Sequence, residues 1–67
     1  MCESRVVILE DGTEKPIMDN VIYIEPQSNG KIFMYDLLGE QKLIEAVIKE
    51  VKLLDHKIIL TSRKDNK

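Results

Sequence analysis

Sixty-seven residues rule out a second domain, and a chain this short buries only about 60% of the surface it exposes when unfolded, which disfavours a deep catalytic pocket. Its single cysteine cannot close a disulfide within the chain and points to a reducing compartment, the cytoplasm. Ten basic against twelve acidic residues, a formal net charge of -2, remove the footprint of non-specific nucleic-acid binding, and no apolar run approaches the ~20 residues of a membrane span.

Along the chain the first expected element is a strand. Arg5-Val6-Val7-Ile8-Leu9-Glu10 is rich in β-branched residues and stops at Asp11-Gly12, a dipeptide that accepts the positive φ angles of a tight hairpin turn. The return, Thr13 to Met18, carries Pro16 and is expected as a short edge strand whose missing N–H faces away from a ladder. After Asp19-Asn20, the segment Val21 to Glu25 reads as a further strand, and Asn29-Gly30 is the strongest hairpin signal, with Lys31 to Asp36 as the partner. A two-residue loop there sets Ile24 opposite Tyr35 and Ile22 opposite Leu37, with Val21, Tyr23, Ile32 and Met34 on the other face. Both faces are then partly apolar, and the second is a candidate contact with another copy of the chain, so a homodimer is expected.

Residues 40 to 54 give two signals. Ile44, Val47, Ile48, Val51 and Leu54 recur at helical spacing, with Lys42, Glu45, Lys49, Glu50 and Lys52 on the opposite arc. Against a helix, Val51-Lys52-Leu53 alternates, and Lys57 to Thr61 beyond Asp55-His56 needs an extended partner. Pattern alone leaves helix and strand open for residues 40 to 50. Hairpins spaced this closely imply an all-β fold, a small antiparallel meander or barrel of about six to seven short strands. Residues 1–61 form its single domain, and residues 62–67, without apolar side chains, a solvated tail.

Cys2 carries the distinctive chemistry. Removal of Met1 would leave the Cys2 amine and thiolate in one five-membered chelate ring; with Met1 retained, the nitrogen donor is the Cys2 amide or the Met1 amine. Thiolate with nitrogen donors suits Ni(II), copper and zinc, and two such ends across a two-fold axis would complete a four-donor site. Without a CxxC, an HxH or a second cysteine the spacing signal is weak, and taken by itself an N-terminal cysteine is more often an incidental residue than a ligand.

Met1-Cys2-Glu3-Ser4 leading into a β-branched strand, Asp11-Gly12, the Asn29-Gly30 hairpin and the closing Leu53-Leu54-Asp55-His56-Lys57-Ile58-Ile59-Leu60 resemble the CooT family of small nickel-binding proteins. That family accompanies carbon monoxide dehydrogenase maturation, and some members carry the label of RNA-binding proteins. The resemblance implies a compact antiparallel β fold, a homodimer, Ni(II) bound through Cys2, and a client such as carbon monoxide dehydrogenase. It also implies extended structure where residues 40 to 54 look helical.

Other groups are assigned plainer roles. His56, between Asp55 and Lys57, is expected as a solvated turn residue, and Glu3 is the one carboxylate near Cys2 in sequence. Met18 and Met34 lie in apolar strands and read as core or interface filler. The alternative function is a small-barrel RNA-binding module that stacks bases on Tyr23, Phe33 and Tyr35, but Glu25, Asp36 and Glu40 are interleaved with Lys31 and Lys42, so the local field is near neutral. No nucleophile, base and orienting group occur together, so no enzyme is expected.

Overall fold

The computed structural model describes residues 3–62, so Cys2 and the expected tail beyond Ser62 lie outside the described residues. Six strands form one open sheet: β1 (Ser4–Glu10), β2 (Thr13–Pro26), β3 (Lys31–Asp36), β4 (Gln41–Glu45), β5 (Val47–Lys52) and β6 (Lys57–Thr61). Their order is β4-β3-β2-β1-β6-β5, and no helix occurs among the described residues. The all-β expectation is met. Within residues 40 to 50, Gln41–Glu45 and the start of Val47–Lys52 are strand, not helix, because they pair with β3 and β6. The apparent helical stripe does not pack as one face, Ile44, Val47 and Ile48 being half-buried and Val51 and Leu54 exposed.

Strands β1 to β4 are the expected meander. The departure lies at β6, which pairs with β1 in parallel, Arg5 with Lys57 through Leu9 with Thr61. The β5–β6 hairpin therefore folds back onto the first strand, making β1 and β6 central, and central strands bury both faces. Val6 and Leu60 sit on one face at 0% exposure, while Val7 and Ile59 are buried together on the other. The doubled apolar pattern of β1 is thus largely consumed within the chain.

At Asp11-Gly12 the turn is the expected two-residue loop, with both residues at positive φ (53° and 78°) between paired Glu10 and Thr13. The two segments expected around Asp19-Asn20 are instead one strand. β2 runs through the polar pair by bulging: its register slips twice against β1 and once against β3, and Asn20 takes φ 57°. Bulges bend a strand and increase its twist, so β2 serves two partners in turn. Thr13 to Met18 pair with β1 alone and Tyr23 to Pro26 with β3 alone, Val21 between them facing both Ser4 and Asp36, which leaves Pro16 on a local edge within a long strand.

The second hairpin differs from the expected register. Gln27 N–H donates to Lys31 O at 2.7 Å, Gly30 N–H donates to Gln27 O at 3.3 Å and Gly30 has φ 82°, which makes the loop three residues, 28–30. One extra residue shifts every pairing: Ile24 lies opposite Met34, and Tyr23 opposite Tyr35. The faces are accordingly Ile24, Ile32 and Met34 toward the core and Tyr23, Phe33 and Tyr35 away from it. The core is Val6, Met18, Val21, Ile32, Met34, Ala46, Ile58 and Leu60, and the methionines are the filler expected of them.

Candidate functional site

Where β1 begins, its N-terminal end meets the bend of β2 and the β5–β6 turn. Together they enclose a polar cleft of about 540 Å³, lined by Glu3, Ser4, Arg5, Asp19, Asn20, Asp55, His56 and Lys57. The bulge in β2 brings Asp19 and Asn20 to this place, and Arg5 N–H, donating to His56 O at 2.8 Å, ties the turn to β1. His56 closes that turn at φ 51°. Across the cleft, Arg5 Nε donates to Asp19 Oδ1 at 3.1 Å, a pair exposed enough to contribute only ~0–1 kcal/mol. Lys57 is drawn aside by Glu14, its Nζ donating to Oε1 at 3.0 Å.

The cleft wall therefore carries three carboxylates, an imidazole and two cations. His56 is an exposed turn residue, as expected, but it also faces the same space as Asp19, which is 37 positions earlier and not found by sequence spacing. Glu3, the residue after Cys2, lines the cleft as well. Among the described residues no group of three or more histidine, cysteine, aspartate or glutamate side chains is placed to hold a metal ion. These donors line one cleft without forming a complete site by themselves.

Two turns border this region, each presenting a pair of leucines. Leu53 and Leu54, 79% and 98% exposed, precede Asp55 and His56 in a turn held by Asp55 N–H to Lys52 O and His56 N–H to Leu53 O, both 3.2 Å. Leu37 and Leu38, 54% and 91% exposed, occupy the β3–β4 turn, which is anchored to the cleft residue Asn20 by Leu37 N–H donating to Asn20 O at 2.9 Å. The buried Asp36 carboxylate stiffens that turn by accepting from Leu38 N–H at 3.0 Å and Glu40 N–H at 2.8 Å.

The three aromatic side chains converge on the outer face of β2 and β3. Tyr23 and Tyr35 stack at 4.9 Å between ring centres, 13° from parallel, and Phe33 meets both edge-on at 6.2 and 6.1 Å. Much of each ring is spent on its neighbours. The Tyr23 phenol is held above its ordinary value, first by repulsion from the Glu25 carboxylate, then by desolvation, a hydrogen bond to Glu25 and the Tyr35 hydroxyl.

A family model described as CO dehydrogenase accessory protein CooT matches residues 1–61. Among solved structures, the fold is similar to the crystal structure of a protein described as CooT from Carboxydothermus hydrogenoformans, with a TM-score of 0.85 and 29% sequence identity over 92% of this chain and 98% of that one. No curated protein matches the sequence.

Proposed function

Because the chain belongs to the CooT family of CO dehydrogenase accessory proteins, we propose that it is a cytoplasmic nickel-binding accessory protein that holds Ni(II) through Cys2 for delivery to a nickel enzyme under maturation. The ion is cargo, so the chain itself performs no chemistry on a substrate. The observation that carries this reading is the incomplete donor set beside the N-terminal strand. Glu3, which follows Cys2 in the sequence, lines one cleft with Asp19, Asp55 and His56, and the described residues hold no three-donor cluster. In this reading the Cys2 thiolate is the soft donor, since carboxylates alone favour harder ions. One cysteine per chain supplies a single thiolate, so the site is shared by two copies of the chain in a homodimer.

Nickel titration tests this. Ni(II) should add a thiolate charge-transfer absorption that saturates at about one ion per two chains, and Cys2→Ser should abolish it with the far-ultraviolet circular dichroism unchanged. A nickel titration unaltered in Cys2→Ser refutes the site.

One observation favours the second reading, an RNA-binding module: Tyr23, Phe33 and Tyr35 do share one sheet face. Their rings stack on one another, and Glu25 places a negative charge beside Tyr23, both of which oppose the stacking of bases. Short single-stranded RNA should leave the NMR shifts of these three residues unmoved; salt-sensitive shifts clustered on them would favour RNA binding instead.

A further inference from the structure

We infer that the free edge of β4 is a docking site for an extended segment of a partner protein. The segment adds to the sheet antiparallel to Gln41–Glu45 and sets an apolar residue against Leu43 and a lysine or arginine against Glu45. Neither Cys2 nor nickel takes part in the contact.

Hydrogen bonding in the β3–β4 ladder fixes which backbone groups are open. Asp36 N–H donates to Glu40 O at 3.0 Å, which makes Asp36 and Glu40 a hydrogen-bonded pair. Bonded and non-bonded pairs alternate between antiparallel strands, so Met34 with Lys42 and Ile32 with Ile44 are the next bonded pairs. The amides and carbonyls of Gln41, Leu43 and Glu45 therefore point away from β3, toward the margin of the sheet. The neighbouring ladder agrees, since Gln27 N–H donates to Lys31 O, which turns Lys31, Phe33 and Tyr35 toward β2 and leaves Ile32, Met34 and Asp36 for β4. No described strand lies beyond β4. The chain leaves it through the buried Ala46, and β5 pairs with β6 at the opposite margin.

Open edges invite pairing, and two others in this sheet are blunted. The first half of β2 carries Pro16, which cannot donate, and β5 bulges against β6 between Ile48 and Glu50. β4 has neither device: it contains no proline or glycine and pairs with β3 without a register shift. Its one lysine, Lys42, lies opposite Met34 on the other face.

The side chains along this margin select the occupant. Leu43 is 51% exposed on the outer face, in one row with Phe33 and Glu25, and Glu45 lies two residues on, opposite Lys31. An added strand that places an apolar residue beside Leu43 and a cation beside Glu45 gains two favourable cross-strand pairs. Glu25 and Glu45 outnumber Lys31 on this face, which disfavours an acidic segment. A second copy of the chain fits less well, because two β4 strands paired antiparallel about Leu43 set Glu45 against Gln41 and bring no cation to either carboxylate.

The test is an NMR titration of the full chain with an acetylated, amidated peptide, Thr-Arg-Thr-Val-Thr-Val-Thr. In antiparallel register its arginine faces Glu45 and its first valine faces Leu43. With about 90% of the protein bound, hydrogen exchange at the Gln41, Leu43 and Glu45 amides should slow about tenfold, while the amides of β5 stay unchanged. The same peptide methylated at the backbone nitrogens of its arginine and valines, the ones directed at β4, should not bind. Glu45→Lys should weaken binding by roughly fivefold or more, because it exchanges an attractive cross-strand pair for a repulsive one. Leu43→Pro removes one outward N–H without touching the β3 ladder and should abolish binding, with circular dichroism as the check on its fold; Glu45→Lys and the methylated peptide decide the matter if that variant unfolds. Equal binding of the methylated peptide, indifference to Glu45→Lys, or slowed exchange in β5 instead of β4 overturns the inference. So does slow exchange of the three β4 amides in the free protein that is lost on dilution, since a second copy then occupies the edge.

Discussion

Replacing Asp36 by alanine removes the acceptor that closes the β3–β4 turn. Its Oδ1 accepts from Leu38 N–H at 3.0 Å and Glu40 N–H at 2.8 Å, and the residue is only 9% exposed. Hydrogen bonds to a charged acceptor contribute about 1.5–3 kcal/mol each, but Leu38 and Glu40 lie in an exposed turn where water can take over part of the lost bonding. The backbone bonds Asp36 N–H to Glu40 O, 3.0 Å, and Gly39 N–H to Asp36 O, 2.9 Å, also remain. Relief from holding a desolvated carboxylate offsets a further part. The net expectation for Asp36→Ala is a loss of about 2–3 kcal/mol, against a total of roughly 3–10 kcal/mol for a chain of this size. That corresponds to a fall in Tm of about 10–20 °C. Asp36→Asn keeps an oxygen acceptor in the same place and should lose only about 1 kcal/mol. Equilibrium urea unfolding followed by circular dichroism, with m unchanged, measures both. A loss below about 0.5 kcal/mol in Asp36→Ala refutes the capping role, and equal losses for the two variants would move the effect from the hydrogen bonds to the charge.

Met34 is fully buried between Ile24 and the facing core, so Met34→Ala should cost about 2–5 kcal/mol and bring the protein close to unfolded at 37 °C, which a thermal melt reads directly. Gly12 has φ 78° and a Cβ there would meet nothing within 4 Å, so Gly12→Ala should lose only the backbone term, about 1–2 kcal/mol, with unchanged sheet content. Tyr23 titrates above the ordinary tyrosine value because of Glu25, so the fold favours its neutral form. Its contribution to stability is complete below the ordinary value and is lost as pH rises through the raised folded value. Glu25→Gln should lower the Tyr23 midpoint in an alkaline absorbance titration, and an unmoved midpoint would contradict that cause.

The turns that depend on two adjacent residues were legible in the sequence. Asp11-Gly12 behaves as read because a two-residue loop needs only two positive φ angles, which that dipeptide supplies. Asn29-Gly30 marks a hairpin correctly but not its register, since Asn29 Oδ1 accepts from Lys31 N–H at 3.2 Å and the loop takes in Ser28, a difference of one residue that moves Tyr35 to the opposite face. Bulges in β2 and the parallel pairing of β6 with β1 left no local trace, because they answer to partners distant in the chain. The candidate site divides in the same way. Glu3 could be placed by its neighbourhood to Cys2 and His56 by its turn, whereas the meeting of His56 with Asp19 depends on the β2 bend. The family resemblance covered what periodicity could not decide over residues 40 to 54.

The parallel contact between β1 and β6 also governs the order in which the chain can acquire its structure. β1 is the first strand synthesised, yet one of its two ladders waits for Lys57 to Thr61, some fifty residues later, and β5 joins the sheet only through β6. Until those residues have left the ribosome, Val6 and Val7 lack the neighbours Ile58 and Ile59, and the edge of β1 stands open. Pairings so far apart in sequence close slowly, because the entropy of the intervening loop is lost before any contact compensates for it. Until Lys57 to Thr61 are available β1 therefore keeps one edge unpaired, and a chain truncated before Lys57 would retain that open edge.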